Sequence, residues 1–121
     1  MRADCTILVV DDDDVLREAI CDAIQDEGCA AVPAADGREA LARLRGPGTR
    51  PCVIVLDLMM PVMNGWQFRA AQRQDAAVAE IPVIVVTAGT HVQHGSIDAD
   101  VVLHKPFRLD ELFTAVERFC G

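Results

Sequence analysis

Several short apolar runs of this 121-residue chain lead directly into side chains able to do chemistry on oxyanions and cations. The run at 5–10 leads into Asp11-Asp12, the run at 52–56 into Asp57, and the run at 82–86 into Thr87; the run at 101–103 is followed two residues on by Lys105. Carboxylates gathered at one place repel one another and take up protons unless a cation joins them. A donor set of oxygens alone, with no His or Cys beside it, selects a hard ion, and in this setting that points to Mg²⁺. A carboxylate beside such an ion can attack a phosphoryl group and become an aspartyl phosphate. The transferred oxygens then need positive charge and hydrogen-bond donors, which an ammonium and a hydroxyl supply. Asp57 poses the question most sharply, because "IVLDL" sets it among apolar residues where an unpaired charge is costly.

The elements that must position these groups are legible as alternation. Short runs rich in Val and Ile, at 5–10, 29–33, 52–56, 82–86 and 101–103, are separated by amphipathic stretches, the pattern of a parallel α/β sheet. Continuous rather than alternating apolar runs suit strands covered by helices on both faces. Val15, Leu16, Ala19, Ile20, Ala23 and Ile24 form one helical stripe that stops near Gly28. Asp36 with Glu39 reads as a capping box opening a second helix, which Gly46-Pro47-Gly48 ends. A third helix is expected to start near Gly65 with a thin apolar face of Trp66, Phe68 and Ala71. Leu109, Leu112, Phe113, Val116 and Phe119 mark the last. Five such βα units with right-handed crossovers make a doubly wound sheet in the order 2-1-3-4-5, within a single domain spanning 1–121. Ligands of such sheets bind beyond the carboxyl ends of the strands, where the order reverses, so Asp11, Asp12, Asp57, Thr87 and Lys105 are expected to converge. Residues 88–100 resist assignment.

Composition narrows the classes. A net charge of −8 argues against nucleic-acid binding, which needs a basic patch. No apolar run approaches the roughly 20 residues that cross a bilayer, and the N-terminus does not resemble a secretion signal, so a cytoplasmic protein is expected. Of eleven basic residues only Lys105 is lysine, which suggests that an ammonium was needed there. Cys5, Cys21, Cys29, Cys52 and Cys120 are scattered without a CxxC pair, and are expected to be reduced, small apolar packers rather than a zinc or redox site. No GxGxxG follows the first strand, which excludes the usual dinucleotide site.

Taken together, "ILVVDDD", "IVLDLMMPVMNGWQF", "IPVIVVTAG" and "LHKPF", in order and across nearly the whole chain, resemble the receiver domains of two-component response regulators, above all stand-alone chemotaxis regulators. The resemblance implies a flavodoxin-like fold with Asp57 as phosphoacceptor. It implies Mg²⁺ held by Asp12 directly, by Asp11 mostly through water, by Asp57 and by the Met59 backbone carbonyl. Thr87 would be the switch hydroxyl and Lys105 the phosphate partner, followed by a cis bond to Pro106. Pro61 and Gly65 match the loop after the phosphoacceptor. The implied partners are a histidine kinase or histidine phosphotransfer protein as donor and a downstream protein as target, with no nucleic acid and no membrane. The implied chemistry is the domain's own phosphotransfer and dephosphorylation, not turnover of a separate substrate.

Each residue alone also has a plain structural reading. Asp13 and Asp14 read as a solvated turn with Asp14 capping the next helix, Thr87 as a β-branched strand end, and "KPF" as a turn. Trp66 and Phe68 read as helix packing, and His91, His94 and His104 as surface residues. Two departures from the family stand out. Val102 occupies the place, three residues before the lysine, where an aromatic is common. The stretch from Thr87 to Lys105 is shorter than usual by roughly one helical turn. A pseudo-receiver that binds a partner without phosphorylation is therefore the alternative. A Mg²⁺-dependent phosphohydrolase would want a second acid where Met59 stands. With Val102 too stiff to act as a toggle, coupling is expected to run through 88–100, the segment expected to be most mobile.

Overall fold

The computed structural model describes residues 5–48, 50–88 and 97–120. Five parallel strands form one sheet: β1 (Thr6–Val10), β2 (Ala30–Ala34), β3 (Val53–Asp57), β4 (Val83–Thr87) and β5 (Val101–His104). Their order is β2-β1-β3-β4-β5, as expected from the sequence. Helices α1 (Asp14–Asp26), α2 (Gly37–Arg45), α3 (Gly65–Arg73) and α4 (Leu109–Cys120) are the helices among the described residues. The connection from β4 to β5 includes 89–96, so the expectations placed on a fourth helix and on His91 and His94 lie outside the described residues.

Strands β1, β3 and β4 are buried along their whole length, which explains their uninterrupted Val/Ile composition. The pleat divides their side chains between two layers. Ile7, Val9, Val53, Val55, Ile84 and Val86 pack with Ile20 and Ile24 of α1 and with Leu112 and Val116 of α4. Leu8, Val10, Ile54, Leu56, Val83 and Val85 pack on the opposite face with Leu41 of α2 and Phe68 of α3. A one-residue slip of any strand would exchange the two layers, so register is strongly determined.

The helix ends follow local chemistry, with one correction. Asp13, not Asp14, caps α1: its carboxylate accepts from the N–H groups of Val15 and Leu16. Asp14 instead sits in the first turn, where it pairs with Arg17 at 2.6 Å and its charge suits the helix dipole. At the far end Gly28 adopts φ +90°, and Gly28 and Cys29 donate back to the Gln25 and Ile24 carbonyls, closing the helix through a left-handed glycine. Asp36 accepts from the Glu39 N–H and opens α2, whereas the reciprocal capping box occurs on α3, between Asn64 and Gln67.

Helix α3 makes up for its thin apolar face with buried polar groups. Gln72 is fully buried and donates to the carbonyls of Val78 and Ile81. Arg69 is buried too, donating to Gln72 Oε1 and to the Asp98 carbonyl. Its guanidinium lies 4.0 Å from the Asp98 carboxylate and 3.9 Å from that of Asp100. Asp100 in turn pairs with Val83 twice: its N–H donates to the Val83 carbonyl, and its carboxylate accepts from the Val83 N–H.

The cysteines correct a second expectation. Although scattered in sequence, Cys5, Cys52 and Cys120 bring their sulfurs into one cluster. Cys5 and Cys52 immediately precede parallel strands β1 and β3, whose starts lie side by side, and α4 runs back to end at Cys120 beside them.

Candidate functional site

Asp11 directly follows β1, and its N–H still donates to the Ala34 carbonyl, so the ladder with β2 carries it into place. The carboxylate is buried; it accepts from the Asp13 N–H at 2.9 Å and from Lys105 Nζ at 3.1 Å. Arg17, which sequence reasoning did not single out, donates to the Asp11 carbonyl at 2.7 Å and ties this turn to α1. Its spacing of three residues from Asp14 was the available signal. Asp12 is exposed, yet one of its carboxylate oxygens lies within 4.8 Å of oxygens of both Asp11 and Asp57.

Asp57 is the last residue of β3 and is 4% exposed. Its Oδ1 lies 3.7 Å from Lys105 Nζ and accepts from the Met59 N–H at 3.4 Å. Burial, followed by the charge of Asp11, raises its pKa from 3.8 to about 6. Lys105 and the Met59 N–H oppose that rise, while a hydrogen bond with Asp12 adds to it. Here three carboxylates face one ammonium, and two of the three carboxylates are buried.

Thr87 ends β4 and is fully buried. Asp57 is paired across the sheet with Val86, the chain neighbour of Thr87. The Thr87 carbonyl accepts from the Lys105 N–H at 2.8 Å, which fixes the lysine relative to β4. The Lys105-Pro106 peptide is cis, as the resemblance implied. Val102 is half-buried in β5 against the layer containing Phe68, and His104 is exposed.

The loop leaving Asp57 is tightly built. Leu58 is fully buried and its carbonyl accepts from the Gly65 N–H at 2.9 Å. A Cβ on Gly65 would meet Leu58 Cδ2 at 2.7 Å and the Asp57 carbonyl oxygen at 2.8 Å, so only glycine allows α3 to start this close. Val62 holds φ +66°, a left-handed conformation that β-branched residues seldom take, and it is exposed, as is Met59.

The structure brings most of the expected residues together. Asp11, Asp12, Asp57 and Lys105 meet at one end of the sheet, Thr87 is joined to Lys105 through the backbone, and Met59 meets Asp57 through its N–H.

The model of the response regulator receiver domain family matches residues 7–117. The chain is similar to response regulator Rre1 of Synechocystis, 34% identical over 117 residues, which cover 93% of this chain and 50% of that one. It spans about half the length of several of the curated relatives it matches. Among solved structures it is similar to the chemotaxis protein CheY4 of Vibrio cholerae, with 32% identity, a TM-score of 0.85, and 96% and 98% of the two chains covered. It is also similar to the receiver domain of the sensor histidine kinase PA1611 of Pseudomonas aeruginosa, at 25% identity and a TM-score of 0.86, covering 98% of each chain. That structure holds a magnesium ion coordinated in its active site cleft. No helix among the described residues is long and apolar enough to cross a membrane.

Proposed function

Because the chain belongs to the response regulator receiver domain family, we propose that it is a phospho-receiver. It takes a phosphoryl group from a partner's phosphohistidine onto Asp57 and signals through protein contacts. The observation that carries this reading is the meeting of three carboxylates with Lys105 beyond the carboxyl ends of β1, β3 and β5.

The donor set fits Mg²⁺: three carboxylates offer oxygens within 4.8 Å of one another, and a single ammonium leaves their charge under-compensated. Asp11 is engaged with Lys105 and the Asp13 N–H, so the exposed Asp12 is the carboxylate open to direct coordination, with Asp57 and the Met59 carbonyl completing the protein's share. When bound, the ion offsets the carboxylate charge and that of the phosphoryl oxygens.

Asp57 contributes the nucleophile: an Oδ attacks phosphorus, and the donor's imidazole nitrogen departs with the electron pair of the broken P–N bond. Lys105 lies close enough to Asp57 Oδ1 to meet the phosphoryl oxygens. Thr87, at the adjacent strand end, is the hydroxyl that would turn toward the new charge and bias a two-state equilibrium. Holding Asp57 buried keeps water from the anhydride it forms, which suits a signal that must outlast the encounter with its donor. Val102, in place of an aromatic, favours a receiver whose switch does not use a rotating ring at β5.

Intact-mass spectrometry after incubation with Mg²⁺ and acetyl phosphate tests the proposal. One labile phosphoryl adduct per chain, absent from Asp57→Asn, is expected. No adduct on the wild type would favour the pseudo-receiver, and an adduct retained by Asp57→Asn would refute the assignment of Asp57.

A further inference from the structure

At the opposite end of the sheet from the acids, Cys5, Cys52 and Cys120 offer sulfurs that all lie within 4.8 Å of one another. Cys5 and Cys120 are buried and Cys52 is half-buried, so reagents in water reach the cluster through Cys52. The Cα atom of Cys52 lies 6.4 Å from that of Cys5 and 5.7 Å from that of Cys120, both within the range that disulfides span. Cys52 can therefore form a disulfide with either neighbour, but one sulfur forms only one disulfide. No histidine or carboxylate among the described residues joins the group. Three thiolates on a divalent ion would leave a net negative charge in the apolar layer that holds Ile7, Ile84 and Leu112, whereas a disulfide is neutral there.

We propose that these three cysteines form an oxidisable thiol site in which Cys52 bonds alternately to Cys5 or to Cys120. The oxidant is a low-molecular-weight disulfide such as oxidised glutathione. The Cys52 thiolate attacks one of its sulfurs, forming a mixed disulfide and expelling one thiolate. Cys5 or Cys120, as thiolate, then attacks the Cys52 sulfur and expels the second. Two protein thiols are oxidised, one external disulfide is reduced, and the two protons released end on the two small thiols. The third cysteine remains a thiol beside the new bond and exchanges with it: attack on the Cys52 sulfur frees the former partner without net oxidation. The bond to Cys120 fastens the far end of α4, the helix that begins four residues after Lys105. Cys21 and Cys29 take no part, lying outside the cluster.

The test treats the reduced protein with oxidised glutathione, blocks remaining thiols by alkylation, and maps linked peptides without reduction. Two of the five thiols should be lost, with Cys5–Cys52 and Cys52–Cys120 links found together and both reversed by reductant. Cys120→Ser should move all linkage to Cys5–Cys52, and Cys5→Ser all linkage to Cys52–Cys120. Cys52→Ser should abolish both links, along with the oxidant-dependent rise in thermal midpoint expected from closing long loops. Either single-neighbour variant decides the matter even where Cys52→Ser does not fold. Five unblocked thiols after oxidation, links to Cys21 or Cys29, or a dominant Cys5–Cys120 link would overturn the proposal. So would equimolar binding of Zn²⁺ that protects the three cysteines from alkylation, since the cluster would then be a metal centre.

Discussion

Replacing Asp57 with Asn should stabilise the metal-free protein at neutral pH although it removes the proposed nucleophile. Burial and the Asp11 charge raise the Asp57 pKa from 3.8 to about 6. Below 3.8 the carboxyl is protonated in both folded and unfolded chains and contributes nothing. Between 3.8 and about 6 the folded chain keeps a proton that the unfolded chain has released, so stability falls as pH rises. Above about 6 the penalty is fully present. A tenfold change in proton affinity corresponds to about 1.36 kcal/mol, so the penalty reaches roughly 3 kcal/mol. The amide carries no charge to bury, and the favourable Lys105 contact at 3.7 Å is already included in that shift. The gain for Asp57→Asn is then up to roughly 3 kcal/mol at about pH 8, vanishing at about pH 4. Urea unfolding of both proteins in chelator, followed by far-ultraviolet circular dichroism across that range, measures the difference directly. A gap that does not change with pH, or a variant less stable at about pH 8, would refute the reasoning. Mg²⁺ should close the gap from the other side. It should stabilise the wild type by about 2.7 kcal/mol at a hundred times its dissociation constant and the variant far less.

Asp12→Ala should weaken Mg²⁺ binding, followed by Trp66 fluorescence, with little loss of stability. Asp13→Ala should keep the affinity but lose about 1 kcal/mol through the missing α1 cap, seen as a lower urea midpoint. Gly65→Ala forces a methyl group against Leu58 and the Asp57 carbonyl, so it should cost about 1–3 kcal/mol by overpacking and slow phosphorylation by acetyl phosphate. Gln72→Ala removes the side-chain donor to the Val78 carbonyl and one of two to the Ile81 carbonyl, and takes an acceptor from buried Arg69, a loss of about 1–3 kcal/mol measurable by thermal unfolding.

The strands were legible because buried parallel strands must be apolar along their whole length, and "VIVL" and "VIVV" have few other uses. The site was legible for a related reason: the first polar residue after such a run sits at the carboxyl end of the sheet, where Asp11, Asp57 and Thr87 are found. Other features left no periodic trace. Four consecutive acids carry no register, so choosing Asp14 over Asp13 as the cap rested on nothing local; the backbone turn after Asp11 decides it. The burial of Arg69 and Gln72 carries no apolar signal, because their partners are carbonyls beyond the helix, at Val78, Ile81 and Asp98. The convergence of Cys5 with Cys52 did leave a signal. Both cysteines stand just before apolar runs that the order 2-1-3-4-5 makes neighbours, and only Cys120 needed the helix direction as well.

The double pairing of Asp100 with Val83 bears on how this domain tolerates change. It sets the start of β5 against β4, and the bond from the Lys105 N–H to the Thr87 carbonyl sets its end. Arg69 separately ties the Asp98 carbonyl to α3. The place of the ammonium is therefore indexed by neighbours that lie outside the connection, not by the number of residues that precede it. A connection anchored at both ends in this way can be lengthened, trimmed or exchanged at little more than the cost of loop closure, about 0.6 kcal/mol for each doubling. The length of the stretch between Thr87 and Lys105 can then change while Lys105 stays within reach of Asp57.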